Sequence, residues 1–256
     1  MCLILFAYDC HPRYKLVVAA NRDEFYQRPT LPADYWIDNK EILAGRDLQE
    51  GGTWMGVTTD GRFAALTNYR DPSSFKKAAP SRGHLVQNYL SSNRTPAAYL
   101  ETLSDGGAAY NGFNLLLGNR ESLYYYSNRE KLVREISHGV HGLSNSLLNV
   151  PWPKVTKGIN ELSKALQQEE VEVEQLFAIM TDRELPPDHE LPETGVGLEM
   201  ERVLAPAFVM SPEYGTRLTT VILIDRNNKV QFWERSFINR QPDSWDEIFY
   251  NVVTSL

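Results

Sequence analysis

Two apolar runs stand near the start of the chain. Leu3–Tyr8 has no helical period, the polar stretch DCHPRYK follows, and Leu16–Ala20 is a second, β-branched run. Neither run alternates apolar with polar positions, so the pair predicts an antiparallel hairpin whose strands are covered on both faces. Thr53–Thr58 and Arg62–Asn68 flank Asp60-Gly61, the dipeptide that supplies the positive φ of a tight hairpin turn. GFNLLLGN and SLYYYSN predict a further pair turning at Gly118–Glu121, and GVHGLSNSLL a short strand running into a loop. RLTTVILIDRNNKVQFWERSF closes the pattern with a hairpin around Arg226–Asn228.

Between these strands the period changes. Ser81 is placed to cap a helix through Leu90, and Thr95-Pro96 to open one through Leu103. Pro153 starts a helix with Val155, Ile159, Leu162 and Leu166 on one face, and Val173–Met180 is a short helix after it. Asp182–Glu201 is polar and rich in Pro and Gly, which predicts a loop or lid. Strands, helices, strands, helices, strands in hairpin-rich order predict an α+β fold of mostly antiparallel sheets covered by helices, as one domain over residues 1–256.

Charge and composition narrow the function. The 256 residues carry a net charge of -7, and no cluster of Lys and Arg exceeds Lys76-Lys77, so nucleic acid is a poor partner. No apolar run is long enough for an integral membrane segment, and the opening run lacks the basic flank of a signal peptide. Two cysteines, Cys2 and Cys10, do not make a disulfide scaffold, which predicts a cytoplasmic protein.

Cys2 is the residue with the most chemistry to offer. Removal of Met1 would leave a thiol and a free α-amine on one residue, with reference pKa values of ~8.5 and ~7.7–8.0. The amine would then be a base tethered to the nucleophile it activates, which is the N-terminal nucleophile arrangement. The plainer alternative is a small buried residue opening a strand. In AANRDEFYQRP, Asn21 and Asp23 share one face of an extended chain and Arg22 takes the other, so Asn21 and Asp23 are candidates to orient the amine. Asn68 and Asn145 stand at strand ends, where an amide can donate to a developing oxyanion or simply form a turn. Arg217 enters a very apolar strand, as a partner for an anion or as a surface cation. The five histidines are scattered, and His138 and His141 fall on opposite faces of a strand, which suits a metal poorly. No phosphate loop or G-x-S-x-G elbow occurs, so no cofactor and no metal are expected. Trp54, Tyr69, Trp152 and Tyr124–Tyr126 are pocket or core aromatics.

MCLILFAY, AANRDE, GGTWMGV, LTNYRDP, GLSNSLLNVPWPK and YGTRLTTVILID, in that order, resemble the NRDE family, which includes the transport and Golgi organisation proteins of the second type. That resemblance implies the four-layer αββα sandwich of the N-terminal nucleophile hydrolases, related to choloylglycine hydrolase and acid-ceramidase-like amidases. It implies Cys2 as nucleophile, Asn21 and Asp23 as the Asn-x-Asp pair, and Asn68 and Asn145 near the oxyanion. One position departs: those hydrolases carry an arginine just before the Asn-x-Asp, where this chain has Ala20 and places Arg22 inside the triplet. By alternation Arg22 is expected to face away from Cys2, leaving Arg217 as the substitute cation. Two functions remain open: an amidohydrolase cutting a linear non-peptide amide in a small-molecule substrate, and a non-enzymatic carrier of a hydrophobic ligand such as haem or an acyl lipid.

Overall fold

The computed structural model describes residues 2–253. Its described residues divide into two compact units, one of residues 2–27 and 138–251, the other of 28–137 with 252–253. In sequence, the main part of the second unit is therefore an insertion between two strands of the first.

The first unit is built on a six-stranded sheet in the order β10-β1-β2-β11-β12-β13. β1 (Cys2–Tyr8) and β2 (Tyr14–Phe25) form the expected opening hairpin, β10 (Gly139–Leu143) pairs with the far side of β1, and β11 (Tyr214–Asp225) lies between β2 and β12 (Lys229–Phe237). β13 (Trp245–Val253) forms the edge. These pairings through β12 are antiparallel. Helices α4 (Pro153–Ala165) and α5 (Val173–Met180) cover one face. Leu3, Leu5, Ala7, Val17, Ala19, Val221 and Leu223 of the sheet pack there against Val155, Leu162, Leu176, Phe177 and Met180. The alternate residues Cys2, Ile4, Phe6, Val18 and Ala20 are buried too, so the central strands are covered on both faces as their unbroken apolar runs predict.

The second unit carries a seven-stranded antiparallel meander, β3 (Thr30–Tyr35), β4 (Ile42–Asp47), β5 (Met55–Thr58), β6 (Phe63–Asn68), β7 (Phe113–Gly118), β8 (Leu123–Ser127) and β9 (Leu132–Glu135). The Asp60-Gly61 turn forms, with Gly61 at φ 88°. Helices α1 (Gly83–Leu90), α2 (Pro96–Glu101) and the short α3 (Leu103–Gly106) supply Leu85, Val86, Tyr89, Tyr99, Leu100 and Leu103 to a core with Ala64, Leu66, Leu115 and Leu117. Thr95 caps α2 by accepting from the Ala98 N–H at 3.3 Å. Ser81 does not cap α1 as expected: Arg82 occupies the cap without a side-chain bond, and only the Ser81 carbonyl is used, by the His84 N–H.

Four strands escape the hydrophobic pattern. β3, β9 and β13 are edge strands with polar, exposed positions, and β4 contains Gly45, whose absent side chain leaves room for the Trp54 ring. The predicted loop 182–201 also contains order at its end, helix α6 (Leu198–Leu204), tied back by Arg202 to Asp188 at 2.9 and 2.6 Å. Among the described residues no helix is long and apolar enough to cross a membrane.

Candidate active site

Register in the first hairpin decides which side chains surround Cys2. Cys2 pairs with Arg22 and Leu3 with Asn21. Antiparallel partners project to the same face, so Arg22 lies on the Cys2 side of the sheet, while Asn21 and Asp23 lie with Leu3 on the helix side. The expectation that Arg22 faces away is thereby corrected: alternation along β2 was read rightly, but only the pairing tells which half of it Cys2 joins. The Arg22 side chain is 6% exposed, and its Nη2 stands 3.8 Å from a Glu24 carboxylate oxygen.

Cys2 itself is buried at 8% exposure. Burial pushes its thiol above the ordinary value, and the Asp23 carboxylate adds to the rise. The Arg22 guanidinium and a hydrogen bond from the Asp23 backbone oppose it by favouring the thiolate.

On the helix side, the Asn21 amide donates to the Met180 carbonyl at 2.7 Å and the Ala207 carbonyl at 2.9 Å, and its oxygen accepts from Thr219 Oγ1 at 2.6 Å. Asn21 thus staples the end of α5 and the segment after α6 to β2. Asp23 accepts from Thr216 Oγ1 at 2.7 Å through Oδ1, and its carbonyl accepts from the Tyr214 hydroxyl at 2.9 Å.

Ser144 and Asn145 follow directly on β10, the other neighbour of β1. Ser144 Oγ lies 3.3 Å from the Cys2 carbonyl and 3.5 Å from Asn145 Oδ1, and both residues are buried. The ladder between β1 and β10 ends at the Ile4–Leu143 pair, and Asn145 follows two residues after it, next to Ser144. Arg217 sits where the β2–β11 register shifts between Thr216 and Leu218, and donates to the Phe25 carbonyl at 3.1 Å. Burial lowers its pKa, and the charge of Arg22 adds to the fall. Bulges of this kind re-aim side chains next to active sites. Asn68 belongs to the second unit, as the last residue of β6 opposite Phe113. Its neighbour Thr67 joins a buried relay in which Tyr125 donates to Asn114 at 2.9 Å and Asn114 donates to Thr67 at 3.0 Å.

Sequence reasoning missed Ser144, Thr216 and Thr219. Each is a hydroxyl inside a block singled out for other residues, GLSNS and YGTRLTT, and a hydroxyl's partner is set by pairing that the sequence does not display. A cleft of about 800 Å³ also lies beside α4, lined among others by Lys157, Asp182, Pro186 and Pro206. It opens on the helix side, and Cys2 takes no part in its walls.

A family model described as Transport and Golgi organisation 2 matches residues 1–239. The chain is 37% identical over 271 residues to the Transport and Golgi organization protein 2 homolog of Bos taurus, covering 96% of each. Among solved structures it is similar to penicillin V acylase from Agrobacterium tumefaciens, with a TM-score of 0.52 at 11% identity over 98% of this chain and 86% of that one. It is also similar to the C2A mutant of conjugated bile acid hydrolase from Clostridium perfringens, with a TM-score of 0.53 at 10% identity over 98% of this chain and 96% of that one. The fold, with its two antiparallel sheets and few helices, therefore resembles that of the N-terminal nucleophile hydrolases.

Proposed function

The chain belongs to the Transport and Golgi organisation 2 family, and from that premise we propose that it is a cytoplasmic N-terminal cysteine hydrolase acting on a linear, non-peptide amide. The observation that carries this reading is the placement of Cys2 at the first position of a central strand, across from Arg22 and with Ser144 at its carbonyl. Once Met1 is removed, the α-amine stands at the end of β1. As a main-chain group it belongs to neither face of the sheet. Asp23 lies one register step beyond Arg22, alongside that end, and is the residue that holds the amine.

In this mechanism the amine takes the Cys2 proton, and the sulfur attacks the amide carbon. Arg22 favours the thiolate before attack. Asn145 stabilises the oxyanion. The proton passes from the amine to the leaving nitrogen, the C–N bond breaks, and a thioester remains. Water, deprotonated by the same amine, releases the acid and restores the thiol. Asn21 serves by holding β2 in place, and Arg217 supplies a second positive charge beside Arg22.

The test is intact-mass measurement of natively expressed protein combined with a thiol-directed acylating probe. Loss of Met1, one acyl adduct on the wild type and none at this position in Cys2→Ala are the expected results. Retained Met1 overturns the mechanism, because the base is then an amide nitrogen.

The buried, protonated thiol of Cys2 favours a second reading, a carrier of a hydrophobic ligand such as haem or an acyl lipid on the same scaffold. That reading requires Cys2→Ala to keep both ligand affinity and biological function.

A further inference from the structure

The hydroxyl of Thr216 occupies a position that the mechanism above leaves without a role. Thr216 is 1% exposed and is clamped to Val209 in both directions: its N–H donates to the Val209 carbonyl at 2.9 Å, and its Oγ1 accepts from the Val209 N–H at 2.9 Å. With an Oγ1 lone pair engaged by that amide, the hydroxyl proton has a fixed direction, toward Asp23 Oδ1 at 2.7 Å. The result is a relay from the Val209 N–H through Thr216 to the carboxylate.

The backbone around it is built to keep this geometry. The β2–β11 register shifts directly after Thr216, so that Asp23 pairs with Thr216 and Arg22 with Leu218, and Arg217 is left over. The extra residue turns Arg217 out of the regular alternation while Thr216 stays opposite Asp23. Val209 in turn belongs to the segment whose Ala207 carbonyl is held by Asn21. Both carriers of the Asn-x-Asp pattern are therefore fixed from one stretch, residues 207–209.

We propose that Thr216 is a positioning residue that fixes the Asp23 carboxylate for the α-amine of Cys2. This rests on the hydrolase reading above. A hydrogen bond to a carboxylate favours its charged form, and a carboxylate held in one plane presents its oxygens to the amine without reorganising. Without the hydroxyl, Asp23 takes up a proton more readily and its plane is free to turn, so the amine loses its orientation first on the acid side of neutrality.

The experiment measures the rate of Cys2 alkylation by iodoacetamide from pH 5 to 9, in a Cys10→Ser background, for the wild type, Thr216→Ser and Thr216→Val, with intact mass recorded for each. Thr216→Ser keeps the donor and is expected to reproduce the wild-type profile. Thr216→Val is expected to shift the acid limb to higher pH and to lower the rate at pH 7 about ten- to a hundredfold, the size set by the loss of one hydrogen bond to a charged group. A merely structural role would lower the melting temperature and leave the limb in place. If Thr216→Val does not fold, Thr216→Ala, which removes the donor with a smaller side chain, takes its place and is expected to shift the limb in the same direction. Coincident profiles on chains that begin at Cys2 overturn the role of Thr216 alone. Retained Met1 overturns the hydrolase reading and this inference with it.

Discussion

Cys2 and Arg22 are direct partners across the opening hairpin, so a guanidinium lies on the same face as the thiol. Burial and Asp23 push the thiol up, and Arg22 is a charge that works against them. Removing that charge should therefore make the sulfur less reactive. Arg22→Gln, in a Cys10→Ser background, is expected to alkylate more slowly at pH 7.5, because a close positive charge favours the thiolate. An unchanged rate in a folded variant would show that Arg22 does not act on the thiol.

Asn21 makes a different kind of prediction, because its amide binds the Met180 and Ala207 carbonyls and Thr219 rather than anything on the Cys2 face. Asn21→Ala strands two buried acceptors and a hydroxyl. The expected loss is about 2–4 kcal/mol of folding stability, read by urea denaturation. A variant as stable as the wild type but devoid of Cys2 reactivity would place Asn21 in the chemistry instead.

The contrast between these two residues shows what the sequence carries. Apolar runs and the Asp60-Gly61 turn were enough for the hairpins, because strand and turn signals are local. Alternation along β2 was enough to separate Asn21 and Asp23 from Arg22. It was not enough to say which set meets Cys2, since that depends on register, a relation between two segments that a one-residue slip inverts. For the same reason the Thr216 and Thr219 bonds were illegible: both span nearly the whole chain, from β2 to β11. Edge strands such as β9, exposed along its length, lack the buried face that produces a pattern at all.

The raised thiol also makes stability depend on pH. A group whose folded pKa lies above its unfolded value favours the protonated form, so its contribution is fully present below the unfolded pKa, near ~8.5 for a thiol, and is lost as pH rises through the folded value. The stability of the wild type relative to Cys2→Ala should thus be constant below about pH 8 and shrink above about pH 9. Buried tyrosines such as Tyr89 and Tyr99 titrate in the same direction, but they are common to both proteins and cancel in the difference. Paired thermal melts from pH 6 to 11 check this, and a gap that stays constant or widens with pH contradicts the burial of the thiol.

Gly215 links the fold to the candidate site through close packing. A Cβ there would lie 2.5 Å from the Val209 carbonyl oxygen and 2.1 Å from the Tyr26 hydroxyl. A side chain can turn away, but the Val209 carbonyl cannot, since it accepts the Thr216 N–H at 2.9 Å. Gly215→Ala must therefore push residues 207–209 off β11, at a cost of about 1–3 kcal/mol typical of overpacking. Because Val209 also holds the Thr216 hydroxyl, the displacement should reach Asp23. Gly215→Ala is expected to lower the unfolding midpoint and to reproduce the pH shift of Thr216→Val in the alkylation profile. A variant that loses stability but keeps the wild-type profile would mean that the strand absorbs the clash before it reaches the carboxylate.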